Sequence, residues 1–222
     1  MNLSLSEKLS AIGFRLSLRD TKALSRRDRA RVDIEETLIE AARQVPLDSK
    51  LFSLLCSWVS VHGDYVIVEK LFKKTKKLEA NDPAKSWIVA LAAFAKNDGF
   101  HNWGRFAKKL RVPVYAFDKD LTLSAIARKG AMKEFQKYGF LVPQGSLRVR
   151  QDDALTVKEL ARDNEQYRNR LLYGAGWRAD IITAIERGAP NPFVISKMIG
   201  CSYEPAHRIF REYSLARGKE AA

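Results

Sequence analysis

Cysteine is scarce in this chain: Cys56 and Cys201 are the only two in 222 residues. They sit in unrelated contexts, so neither a disulfide framework nor a cysteine metal set is expected, and a reducing compartment is. His62, His101 and His207 share no ligand spacing with the cysteines or with each other, which argues against zinc. No apolar run approaches the roughly 18 residues of a membrane span. The start, MNLSLSEKLSAIGFRL, lacks a basic region followed by an apolar stretch and a cleavage site. No signal peptide is therefore expected, and a cytoplasmic location is. There is no P-loop, no Gly-x-Gly-x-x-Gly and no Gly-x-Ser-x-Gly elbow. Gly145-Ser146 and Asp152-Asp153 are too closely spaced for a nucleotidyltransferase signature. Adjacent acids on a strand also face opposite ways and cannot share one metal. No catalytic residue, metal or cofactor is expected. Acids are outnumbered, 26 against 39 Lys and Arg, for a formal charge of +13. An isoelectric point near 9.8 disfavours an ordinary acidic enzyme and favours a polyanionic partner.

What is present is a folded composition, 46% hydrophobic and 29% charged. The length suits one large domain or two small ones. The positive excess is uneven: residues 101–150 hold 11 basic and 3 acidic side chains, while the other segments are nearly balanced. Smaller clusters lie at Arg26, Arg27, Arg29, Arg31 and at Lys70, Lys73, Lys74, Lys76, Lys77. Each reads by itself as a solvated basic surface; together they favour phosphate contact somewhere.

The pattern is mainly α. Ser25 with Asp28 marks one helix start, with Val32, Ile34, Leu38, Ile39, Ala41 and Ala42 as its apolar stripe. Asp48 precedes a dense apolar helix through Phe52, Leu55, Trp58 and Val59. A third helix, from about Asp64, ends in the lysine-rich turn, which suits the negative end of its dipole. Asp82-Pro83 opens a fourth through Trp87, Leu91 and Phe94. All four tryptophans read as core anchors; Trp103, beside basic residues, also suits base stacking. Cys56 reads as a buried, inert thiol. Residues 121–138 have helical spacing up to Gly139. Phe140–Pro143 and Leu147–Arg150 flank Gln144-Gly145-Ser146, so a small β-hairpin is expected near 140–150, with Arg148 and Arg150 on one face. A largely polar helix is expected over 156–172, with a narrow stripe of Val157, Leu160, Ala161, Asn164, Tyr167, Leu171 and Leu172. That pattern fits a bridge between domains or a dimer seam, and equally a helix lying on the core. The expected division is 1–150 as a helical domain, 151–176 as a linking helix and 177–222 as a small C-terminal domain. There is no internal repeat.

Residues 177–217 read as three short helices. Gly188 ends the first. Asn191 caps the second, with Pro192 in its first turn, and Gly200-Cys201-Ser202 leads into the third. Through Ile195, Ser196, Ile199, Gly200, Cys201, Ala206 and Ile209, this stretch of about 40 residues resembles the helix-turn-helix family of DNA-binding domains. A small residue at 196 lets two helices cross closely; serine stands where alanine is usual. Gly200 can take the positive dihedral of the turn. Cys201 is a small apolar plug, Ser202 caps the third helix, and Ile181 and Ile185 cover the remaining side. The few residues after Arg217 leave no room for a β-wing, so a trihelical form is expected.

The resemblance implies that the third helix enters the major groove of double-stranded DNA. Its outward residues would be Ser202, Tyr203, Glu204, His207, Arg208 and Arg211, with Lys197 on phosphate. Arg208 would pair with guanine and Glu204 with cytosine. The small net charge here calls for help from the basic middle region, with Arg105, Lys108, Lys109, Arg148 and Arg150 as auxiliary phosphate contacts, or from a homodimer. The leading expectation is a non-enzymatic transcriptional regulator, a repressor by preference. One alternative is an antitoxin-like protein that binds a partner through residues 1–150. Another is a nucleic-acid-processing or RNA-binding protein using 101–150, with Asp118, Asp120, Asp152 and Asp153 as its candidate acids.

Overall fold

We describe residues 3–16 and 25–218 of a computed structural model of the chain. Side-chain caps open several of the helices. Ser4 and Glu7 form a reciprocal box at the start of α1 (Leu5–Ala11), and Ser25 caps α2 (Arg26–Arg31). Asp33 caps α3 (Ile34–Gln44) through the Glu36 amide. Lys50–His62 forms α4, and Val68–Lys76 forms α5. The third helix thus starts later than its sequence suggests. Residues Gly63–Tyr65 make a single tight turn first, because Trp103 Nε1 donates to the Gly63 carbonyl there at 3.1 Å. Ala84–Asn97 forms α6, whose first amide is taken by Asp82 Oδ1 at 2.9 Å.

These helices make one apolar cluster. Ala90, Ala92, Ala93 and Ala95 of α6 are buried, and their small side chains let α3 and α4 pack closely on it. Leu38, Leu55, Trp58, Ile88 and Leu91 fill the centre. Each such side chain contributes roughly 2 kcal/mol through burial. Trp58 Nε1 donates to the Ile12 carbonyl at 2.7 Å, which ties α1 to this core. Trp103 is fully buried, so base stacking on it is ruled out and the core-anchor reading holds.

The expected hairpin does not form. Phe140–Leu141 (β2) pairs in parallel with Val114–Tyr115 (β1), in the register Val114 with Phe140 and Tyr115 with Leu141. Residues 147–150 are not a strand. Instead the Arg148 amide donates to Ser53 Oγ and the Arg150 amide to Ser57 Oγ, both on α4, at 3.3 and 2.9 Å. The α4 serines thus provide the acceptors that a partner strand would have offered, and Pro143 has no N–H to give. Between the strands lie α7 (Lys119–Lys129), ended by Gly130 at φ 81°, and α8 (Lys133–Gln136).

The single linking helix is two. Thr156 and Glu159 box the start of α9 (Val157–Asp163). Asn164 then breaks the helix at φ −118°, ψ 119°, and its side chain caps α10 (Glu165–Tyr173). Buried Asn164 also donates to the Val32 carbonyl at 3.3 Å. The face that α10 buries is polar. Gln166, Asn169 and Arg170 are buried together with Tyr167, whereas Leu171 and Leu172 face solvent. The polar side chains have partners on the next helix, which the leucines lack.

That helix is α11 (Trp177–Glu186), followed by α12 (Pro192–Ile199) and α13 (Tyr203–Ala216). Ile181, Ile182, Ala184, Ile195, Ala206 and Ile209 form a second buried cluster, separate from the first. Among the described residues, no helix is long and apolar enough to cross a membrane.

Candidate nucleic-acid interface

The α12–α13 corner is built from local chemistry. Asn191 Oδ1 accepts from the Val194 amide at 2.9 Å, and Pro192 occupies the first turn. Gly200 ends α12 in the left-handed region, φ 74° and ψ 24°. Ser196 is buried where the helices cross, and its hydroxyl donates to the Phe193 carbonyl at 2.8 Å, so it brings no unpaired polar group into the crossing. Ser202 stands at the capping position of α13 with suitable backbone angles, but its hydroxyl takes no cap hydrogen bond, contrary to expectation.

Helix α13 then has two faces. Ala206 and Ile209 are buried against α11 and α12. Ser202, Tyr203, Glu204, His207, Arg208 and Arg211 are all exposed, as is Lys197 on α12. The rings of Tyr203 and His207 stack at 5.8 Å. Arg208 Nε lies 3.9 Å from Glu212, and Arg178 holds the other oxygen of that carboxylate at 3.0 Å. An exposed contact this long contributes little, so the Arg208 guanidinium is free to reach a ligand.

Much of what holds this unit against the rest of the chain is ionic. Lys70 Nζ on α5 donates to Asp180 on α11 at 2.5 Å and to Asp33 at 2.6 Å, and lies 3.0 Å from Glu35. Arg170 spans Glu35, at 2.6 and 2.8 Å, and Asp180, at 2.9 and 3.1 Å. Gln166 Nε2 donates to Asp33 and Asp180. Glu35, Lys70, Arg170 and Asp180 are fully buried. Burial works against each charge, but the partners prevail. Lys70 and Arg170 titrate above their ordinary range, while the carboxyls of Asp33 and Asp180 titrate below theirs. Lys70, which the sequence places in a solvated basic cluster, and Arg170, on the helix expected to be largely polar, are thus internal. Among the described residues, Asp33, Glu35 and Asp180 are the one group of acids close enough to share a metal ion, and the two cations already neutralise them.

The auxiliary residues separate. Arg105 and Lys108 line a groove of about 320 Å³ with Lys76 and Lys85, over a floor of Phe72, Val89 and Phe106. None of these four cations makes an ion pair among the described residues. Lys109 is exposed but does not line this groove, and Arg148 and Arg150 belong to the segment held on α4. Asp118 caps α7, and Asp153 lies 3.4 Å from Ser57. With Asp120 and Asp152 they form no metal-binding cluster among the described residues.

A second groove, of about 450 Å³, was not anticipated. Lys70, Lys73, Lys74 and Lys77 of α5 and the turn after it face Lys197, Met198, Ile199 and Gly200 across Trp177. The signal was present in the spacing: positions i, i+3, i+4 and i+7 share one helix face. Which surface that face would meet was not. Comparisons of the chain with protein-family models, with curated proteins and with solved structures give no match.

Proposed function

We propose that the chain is a sequence-specific binder of double-stranded DNA, of helix-turn-helix type, acting as a transcriptional regulator without catalysis of its own. The observation that carries this reading is the division of α13. One side is fixed by Ala206 and Ile209, and the other presents Tyr203, Glu204, His207, Arg208 and Arg211 to solvent. A helix supported from behind can place such donors and acceptors against base edges. The +13 charge supplies the long-range attraction. The test is fluorescence anisotropy on a pool of duplexes, including the DNA upstream of the chain's own gene. One duplex is expected to be preferred, and Arg208→Ala to remove about 1–3 kcal/mol of that preference while weak binding persists. Equal binding of all duplexes, unchanged by Arg208→Ala, overturns the reading.

A second reading, a protein partner held by residues 1–150, draws on one feature. Leu47 is 85% exposed beside Phe117, and both line a groove with Pro46, Pro83, Trp87 and Val114. Affinity purification from the native source tests it. A stoichiometric second chain that Leu47→Asp releases supports it, and its absence counts against it.

A further inference from the structure

Helix α5 and the turn after it carry four lysines on one face, and the chain uses them unequally. Lys70 is consumed in the buried network, and Lys74 pairs with Glu36. Lys73 lies over the Trp177 ring at 5.2 Å, with only exposed Glu69 as its acid, at 3.4 Å. Among the described residues, Lys77 has no acidic partner. Across the groove Lys197 has none either, and its ammonium sits over the Phe193 ring at 5.4 Å. Three cations therefore converge on one groove in which Glu36 is the single acid, and Lys74 occupies it. Like charges at i and i+4 destabilise a helix by a few tenths of a kcal/mol. An anion bound in the groove would relieve that repulsion.

The groove's place decides which anion. Its far wall is the end of α12 and Gly200, the turn that leads directly into α13. A duplex lying against α13 must carry its sugar-phosphate backbone past that turn. The lysines are also held at a fixed distance from the turn. Lys70, one helical turn before Lys73 and Lys74, is bound to Asp180 of α11 inside the protein. We propose that Lys73 and Lys77, with Lys197, form a phosphodiester site for the backbone of the same duplex that α13 reads. The helical body thereby contacts DNA directly rather than only carrying the C-terminal unit. This rests on the DNA-binding reading above.

The experiment measures affinity for the preferred duplex between 50 and 200 mM salt. It compares wild type, Lys73→Gln/Lys77→Gln, Lys73→Arg/Lys77→Arg, and Arg128→Gln/Lys129→Gln as a charge-matched control on α7, a helix that lines no part of this groove. Each phosphate contact contributes about 0.9 to the slope of log affinity against log salt. Losing two lowers the slope by about 1.8, so over a fourfold salt range wild type loses roughly twelvefold more affinity than the glutamine variant. The arginine variant should keep the wild-type slope, and the control should fall by less than half as much. Preference among duplexes should survive in all of them. The proposal is overturned if the glutamine variant has the wild-type slope, or merely matches the control, while Arg208→Ala still reduces preference. In that outcome the α13 reading stands. Wild-type protein that binds no duplex, or prefers single-stranded RNA to every duplex, overturns both.

Discussion

Replacing Lys70 by methionine should be among the most damaging single changes in this chain. Lys70 and Arg170 together face Asp33, Glu35 and Asp180. Without Lys70, three carboxylates face one cation in a site where Glu35 and Asp180 are fully buried. Breaking a buried pair from one side costs about 3–5 kcal/mol, and this side leaves the worse imbalance, so the upper end applies. Asp180→Leu leaves two acids and two cations and should cost less, about 3 kcal/mol. The double variant should cost about as much as Lys70→Met alone, because the charge Lys70 chiefly neutralised on α11 has gone with it. Urea unfolding followed by circular dichroism reads this directly. At a slope near 2 kcal/mol per molar, the Lys70→Met midpoint falls by about 2 M. The same variant should lose less at pH 5 than at pH 7. Without the cation, a buried carboxyl titrates above its unfolded value, so the folded state binds the extra proton and gains as pH falls. If the two single costs simply add in the double variant, to roughly 7–8 kcal/mol, the five groups do not act as one compensated unit and the reasoning is refuted.

Three further outcomes follow from single sites. His62 is buried, accepts or donates at Nδ1 to Tyr167 Oη at 2.7 Å, and burial depresses its pKa to about 4. The unfolded chain therefore takes up the proton first, and stability should fall by about 3 kcal/mol as pH drops from 6.5 to 4; His62→Leu, less stable at neutral pH, should show a flatter profile in that window. Gly200→Ala should lower the stability of the C-terminal unit by about 1 kcal/mol, with Gly200→Asn milder, because a Cβ there meets nothing within 4 Å and only the backbone at φ 74° objects; equal melting temperatures for Gly200→Val and wild type would sink this. Burial pushes the Cys56 thiol well above its ordinary pKa, so in native protein a thiol reagent should modify Cys201, which is half-buried, before Cys56.

The α12–α13 corner was legible because its determinants are neighbours in sequence. Asn191, Pro192 and Gly200 each act on amides or dihedrals within a few residues of themselves. The helical body was legible for a related reason, since Leu38, Trp58 and Leu91 lie on stripes of period 3.6. Helix α10 was misread because the same rule points the wrong way there. Leu171 and Leu172 look like its inner face, yet Asn169 and Arg170 go inward to Thr183, Glu186 and Asp180. Lys70 was misread likewise, its partner Asp180 being 110 residues away. Residues 147–150 alternate as a strand should, but the α4 serines accept their amides and no strand lies alongside. Periodicity reports burial, and it is blind where burial is achieved by long-range polar pairing.

That blindness falls where the proposed function needs structure most. The two apolar clusters, one through the helical body and one inside α11–α13, are separate. Apolar contact between them would have been non-directional and tolerant of sliding. The bidentate grip of Arg170 on Glu35 and Asp180, with Lys70 closing the same group, is directional and fails abruptly when displaced. Charge is costly to bury, and a similar volume of apolar side chains would often be as stable. What the ionic joint adds is a directional tie between α5 and α11, through Lys70 and Asp180, beside the groove that Lys73 and Lys77 share with the turn at Gly200. A duplex repeats its phosphates at fixed intervals, so a protein that contacts backbone with one element and bases with another gains only if the two are held in register.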